Sequence, residues 1–449
     1  MSIISEYGSL LLFLTVIFSF FMAWGTGAND VANAMATSVG SKALTLKQAI
    51  YIAIVFEFTG AFLAGGEVTA TIRKGIVDPE LFSANPELLL YGMLASLLAA
   101  GTWLLIATLK GWPVSTTHSI VGAIVGFAAV GISVDAVHWG KVASIATSWI
   151  ISPLCSGGIA FAIYFSVRRL ILNSDRPLYN AKKYLPMYLF LVGYMISMVT
   201  LVKGLKHVGL ELSYMQSAQW ALLGGIGIVV LGYARLKSHF YEVENTETYP
   251  VMNATGVSVQ IDLNFFNPPC EMNTEHHKKK VDRVFALLMM FTACAMGFAH
   301  GSNDVANAIG PLAAVVEIIN SGGDVAGKSS IPSWVLLLGA GGIVLGLVTY
   351  GHKVIATVGT NITILTPASG FAATLAAATT VVIASGTGMP ISTTHTLVGA
   401  ILGIGIAHGL KSINLTMVRT IVASWLMTIP AGACLAILFF YILKFIFHI

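Results

Sequence analysis

The sequence predicts an all-α polytopic membrane protein built from two inverted-topology repeats, each with transmembrane helices and a re-entrant helical hairpin. Three observations lead there. Hydrophobic residues make up 56% of the chain and charged residues only 10%, against roughly 25% charged in a soluble domain, so a water-soluble surface is excluded. Twelve apolar segments recur along the chain, most of them near the ~20 residues that a helix needs to cross a ~30 Å hydrocarbon core. The third observation is internal repetition. GANDVANA at 27–34 matches GSNDVANA at 301–308 in seven of eight positions, offset by 274. PVSTTHSIVGAIVG at 113–126 matches PISTTHTLVGAILG at 390–403 in ten of fourteen, offset by 277, and Ser148-Trp149 matches Ser424-Trp425 at 276.

The apolar segments fall at 9–33, 48–72, 88–109, 115–133, 142–167, 184–202, 217–233, 284–308, 333–357, 363–386, 391–408 and 418–446. The first has no small-residue cleavage signal and runs into the first repeated motif, so it reads as a retained helix and not a signal peptide. The longest polar interruption, 234–283, carries Glu242, Glu244, Glu247, Pro268, Pro269 and Lys278 to Lys280, and reads as an aqueous loop. This divides the chain into a first repeat at 1–170, two connecting helices with a cytoplasmic loop at 171–283, and a second repeat at 284–449.

Orientation follows from Lys and Arg, which favour the cytoplasmic side of short loops. The connector 168–183 holds Arg168, Arg169, Arg176, Lys182 and Lys183 against Asp175 alone, whereas Asp78, Glu80 and Glu87 outweigh Arg73 and Lys74 in 73–87. With 168–183 inside, both termini are extracytoplasmic and the second repeat enters the membrane upside down. Lys444 near the C-terminus fits the proposed side poorly. The net charge of +4 does not suggest a nucleic-acid partner. Cys155, Cys270, Cys294 and Cys434 have no paired spacing and read as small buried residues.

Asn29, Asp30 and Asn33, repeated as Asn303, Asp304 and Asn307, end apolar runs. Positions three and four apart share a helix face, so carboxylate and amide oxygens gather as hard ligands for a hard cation. An intramembrane Asp is costly and usually functional; the alternative is a polar helix contact. Ser115, Thr116 and Thr117 follow Pro113, and Ser392, Thr393 and Thr394 follow Pro390. A Pro there suits the start of a helix, whose free amides attract anions, and two such termini suit one tetrahedral oxyanion. The alternative is that both are ordinary N-caps. His118 and His395 close each motif, as packing residues or as further contacts.

These motifs resemble the inorganic phosphate transporter family over nearly the whole chain. The resemblance implies uptake of inorganic phosphate coupled to Na⁺ or H⁺, two helical hairpins in an inverted duplication, residence in the plasma (inner) membrane, and a homodimer. It carries phosphate binding onto the Ser-Thr-Thr tips and Na⁺ binding onto Asp30, Asn33, Asp304 and Asn307. It also points to Glu57, 27 residues after Asp30, at the place of an acid that eukaryotic members need. Their second acid, near an SGF segment, is replaced here by Thr374 after Ser369-Gly370-Phe371. Aligning Gly60, Gly65 and Thr71 with Gly346, Gly351 and Thr357 sets Ile343 opposite Glu57, which makes Glu57 a unique acid suited to gating or an extra cation.

Neither motif contains Lys or Arg, so two aspartates and a phosphate would leave roughly three to four negative charges uncompensated, several kcal/mol for each unpaired ion. Bound cations resolve this, and oxygen-only ligands favour Na⁺. No cofactor is expected beyond that coupling ion. A proton-coupled carrier of metal-phosphate complexes is the alternative. An anion channel would call for a basic pore lining, and an enzyme for a nucleophile-base pair; the motifs offer neither.

Overall fold

Where water is absent, a spanning segment must satisfy its backbone internally, and a helix does so within one segment. The computed structural model describes residues 3–204, 212–245, 251–252, 258–259, 272–325 and 331–447, and these described residues form thirteen α-helices. The first half contains α1 (Ile3–Gly40), α2 (Leu46–Ala64), α3 (Gly66–Lys74), α4 (Pro86–Leu109), α5 (Thr116–Gly131) and α6 (Trp139–Val167). Two connecting helices follow, α7 (Pro177–Val199) and α8 (Tyr214–Asn245). The second half contains α9 (Met272–Asn320), α10 (Ser333–Asn361), α11 (Pro367–Gly386), α12 (Thr393–His408) and α13 (Leu415–Ile446).

Ten of these helices are long and apolar enough to cross a membrane, and the chain is a multi-pass membrane protein. The helices α5 and α12 have 16 residues each, a rise of about 24 Å that falls short of a ~30 Å core. Apart from the helices, Val251–Met252 pairs with Ser258–Val259 inside the predicted aqueous loop, most of which lies outside the described residues.

Local chemistry sets the helix starts. Thr45 caps α2 in a reciprocal box with Gln48. Pro86, Pro177 and Pro367 occupy first-turn positions, where a missing N–H costs nothing. Ser115 and Ser392 accept the amides of His118 and His395, capping α5 and α12.

Several boundaries differ from the sequence expectation. The segment 48–72 breaks at Gly65 into α2 and α3, while its counterpart α10 runs unbroken through Gly351. Helices α8 and α9 extend past the apolar limits at 233 and 284, because apolarity marks the hydrocarbon span and not the end of helical hydrogen bonding. Cys155 and Cys434 are exposed and Cys294 is half-buried, instead of all being buried; Cys270 lies outside the described residues.

Glycine lets the halves approach closely. A Cβ on Gly27 would strike the carbonyl of Ile343, and one on Gly346 that of Trp24, so α1 and α10 touch backbone to backbone. The same pair recurs between α9 and α2, where Gly301 meets Glu57 and Gly60 meets Phe298. Ile343 and Glu57 therefore occupy equivalent positions, as the internal alignment predicts. Small residues at such crossings supply the packing that lipid-embedded helices need.

The halves also interlock. Helix α5 lies on α13 through Gly122 and Gly126, which face Ile429 and Ala433, and α12 lies on α6 through Gly399 and Gly403, which face Pro153 and Gly157. Each short helix is thus held by the last helix of the opposite half. The connecting helix α7 is fastened to the second half by Tyr188, whose ring centroid is 5.9 Å from that of Phe285 and 6.1 Å from that of Phe371.

Candidate functional site

Four elements bring the repeated motifs together: α1 and α9 carry the Asn-Asp-Asn sets, and α5 and α12 carry the Ser-Thr-Thr tips. Asn33 donates to Thr393 Oγ1 at 3.1 Å and Thr394 Oγ1 at 2.9 Å. Asn307 donates reciprocally to Thr116 Oγ1 at 3.2 Å and Thr117 Oγ1 at 3.3 Å. Each motif therefore binds the tip of the other half.

Asn29 and Asn303 serve a different contact. Asn29 donates to the Trp112 carbonyl at 3.0 Å and accepts from the Val114 amide at 3.2 Å. Asn303 donates to the Ile391 carbonyl at 3.2 Å, and its oxygen accepts from Ser385 at 2.9 Å. Both tie down the turn between the hairpin helices of their own half, the polar helix contact weighed from sequence.

The tips are tied to each other as well. Thr117 donates its hydroxyl proton to the Ile391 carbonyl at 3.0 Å, and Thr394 to the Val114 carbonyl at 3.1 Å. The amides that begin α5 and α12 precede the first helical bond and lack intrahelical acceptors. Behind the tips, the rings of Trp149, His118, His395 and Trp425 pack in sequence with centroids 3.8, 4.4 and 3.6 Å apart, tilted, edge-on and stacked in turn. This accounts for the repeated Ser-Trp pair and makes the two histidines packing rings, with His395 Nδ1 at 3.1 Å from the Trp149 carbonyl.

The two aspartates differ. Asp304 accepts from Asn303 Nδ2 at 2.7 Å and from Thr393 Oγ1 at 2.7 Å, and His300 Nε2 lies 2.9 Å from its carboxylate as an ion-pair neighbour. Asp30 is only 1% exposed, yet neither of its carboxylate oxygens makes a hydrogen bond of good geometry; the Thr116 hydroxyl, counterpart of Thr393, is the one protein donor beside it among the described residues. A buried carboxylate so poorly supplied with donors is several kcal/mol out of balance. Oδ1 of Asn307 is also buried without a hydrogen bond.

Sequence reasoning missed His300. It lies in an apolar run, but four residues before Asp304 it shares that helix face, and this spacing was the available signal. Glu57 stands on its far side, Oε1 3.3 Å from His300 Nδ1, with both side chains fully buried. The equivalent positions hold Thr26 on α1 in place of His300 and Ile343 on α10 in place of Glu57, so the asymmetry inferred for Glu57 extends to its partner.

The family model of the phosphate transporter family matches residues 26–436. The chain belongs to that family. Its relatives include a protein of Haemophilus influenzae, provisionally named a phosphate permease, which is 50% identical with 100% of both chains covered. The chloroplastic inorganic phosphate transporter 2-1 of Arabidopsis thaliana is 44% identical over 96% of this chain and 72% of its own. A solved structure described as the sodium-dependent phosphate transporter superposes with a TM-score of 0.82 at 36% identity, covering 97% of this chain and all of that one. The family is one of transporters and not enzymes.

Proposed function

We propose that the chain imports inorganic phosphate by symport with Na⁺, with the phosphate held between the two tips. The observation that carries this reading is the crossed pairing of Asn33 and Asn307 with the opposite tips, beside an Asp30 carboxylate that no protein donor satisfies. A cation satisfies that carboxylate. It also bridges to a phosphate oxygen, which neither motif meets with Lys or Arg. The ligands are Asp30, Asn33, Asp304 and Asn307; Asn29 and Asn303 shape the site by holding the turns. Phosphate is received by the opening amides of α5 and α12 around Thr116, Thr117, Thr393 and Thr394, with Ser115 and Ser392 fixing the helix starts. The sodium dependence of the similar solved structure supports Na⁺ as the coupling ion.

Cation and phosphate binding are then linked, and each raises the affinity for the other by the same factor. Calorimetry on the purified protein should give a phosphate Kd that falls as Na⁺ rises, by about 5- to 150-fold overall. A Kd independent of Na⁺ would refute the symport reading.

Thr117→Val and Thr394→Val test the tips. Each removes one hydroxyl bond to the opposite hairpin, worth about 1 kcal/mol, so phosphate affinity should drop about fivefold per substitution with unchanged yield. Unchanged affinity in the double variant would leave the tips as helix caps alone.

Alternating access in this reading uses inverted repeats in the plasma (inner) membrane, with both termini outside and two chains in a homodimer. Equivalent loops must then face opposite sides. Ser83, between α3 and α4, and Ile364, between α10 and α11, are both exposed, whereas Phe82 beside the former is buried. Cysteines replacing Ser83 and Ile364 should label from outside and inside respectively. Labelling of both from one side would rule out the inversion.

A further inference from the structure

We propose that Asp30, His300 and Asp304 form a binding site for one divalent transition-metal cation, with Glu57 orienting the imidazole. One ligand atom from each of the three residues lies within 4.8 Å of the others. All three are buried, and the Asp30 oxygens that complete the set make no hydrogen bond of good geometry.

The donor set decides the class of ion. Alkali cations, Mg²⁺ and Ca²⁺ are matched by oxygen alone. A nitrogen with two carboxylate oxygens suits borderline ions such as Co²⁺ and Zn²⁺ best, and the harder Mn²⁺, which its two carboxylates also match, serves as the spin-active probe. The surroundings fit as well: a metal-bound histidine usually presents its other ring nitrogen to a carboxylate, and here Glu57 Oε1 is 3.3 Å from His300 Nδ1 while Nε2 points to Asp304.

Among the described residues there is one such site per chain. At the symmetry-equivalent place, Thr26 of α1 stands for His300 and donates to the Met22 carbonyl, and Ile343 of α10 stands for Glu57, so neither the nitrogen nor its orienting group is repeated. The inference shares Asp30 and Asp304 with the sodium reading, and it makes the divalent ion a competitor of Na⁺ for those carboxylates. Phosphate binding and transport are not required for it.

Mn²⁺ titrated into the purified full-length protein, without Na⁺ or phosphate, provides the test. Electron paramagnetic resonance should count one bound Mn²⁺ per chain, and electron spin echo modulation should report one directly coordinated nitrogen. His300→Gln should abolish that nitrogen signal and weaken binding at least 100-fold. Glu57→Gln, which keeps all three ligands, should weaken it about 10- to 100-fold. Added Na⁺ should displace the ion. The proposal fails if wild-type protein binds no stoichiometric Mn²⁺, if the bound ion has no nitrogen neighbour, or if the signal survives His300→Gln. Because the spin-echo readout is taken on the wild-type protein, misfolding of a variant cannot decide the result. Failure of the sodium-driven uptake assay would be a separate outcome.

Discussion

Asp30→Asn is expected to remove nearly all sodium-driven phosphate uptake. Asn keeps the size of Asp and one acceptor oxygen, so packing changes little at a position only 1% exposed. What disappears is the charge that a buried cation needs. Breaking a buried ion pair from one side costs about 3–5 kcal/mol, which is a factor of at least about 100 in cation affinity. Phosphate binding should lose its dependence on Na⁺ at the same time, while the melting temperature in detergent rises or stays level, because an unsatisfied buried charge has been removed. Asp304→Asn should also impair uptake, but with a lower melting temperature, since it weakens contacts with His300 and Thr393. Wild-type sodium dependence in Asp30→Asn would place the cation elsewhere.

The largest effect on folding is expected from Gly27→Ala and Gly346→Ala. In each case the added methyl meets a backbone carbonyl of the facing helix, Ile343 or Trp24. A carbonyl in a helix has no rotamer to change, so α1 and α10 must separate along their shared crossing. Overpacking a core costs typically 1–3 kcal/mol where side chains can give way, and here it should exceed about 3 kcal/mol. The readouts are the yield of monodisperse protein and its thermal midpoint, with Gly66→Ala and Gly158→Ala as controls because their Cβ positions are open. Normal yield and melting in both crossing variants would mean that the helices do not meet as described.

Much of this fold was legible because lipid restricts the choice of structure. The apolar segments marked ten spanning helices and two shorter ones, and the duplicated motifs marked which of them pair. The alignment that sets Ile343 opposite Glu57 reappears as two glycine crossings. The residues of the site were also legible, but their bonds were not. Composition cannot tell that Asn29 holds a turn while Asn33, four residues on, reaches the opposite half. It could not foresee that the hydroxyl protons of Thr117 and Thr394 go to backbone carbonyls, since that depends on how closely the two tips approach. His300 belongs to no duplicated pattern, and only its register with Asp304 marks it. The ends of α8 and α9 went unread for a different reason: outside the hydrocarbon, polar residues form helices too, and hydropathy carries no information there.

The central claim is that a sodium gradient drives phosphate through this site. It is tested most directly by purified protein in sealed proteoliposomes, with ³²P-labelled phosphate outside and either an inward Na⁺ gradient or an inward H⁺ gradient of equal size without Na⁺. The account predicts accumulation above equilibrium under the Na⁺ gradient, its loss in Asp30→Asn, and no accumulation under the H⁺ gradient. Accumulation driven by H⁺ alone, with no response to Na⁺, would contradict it.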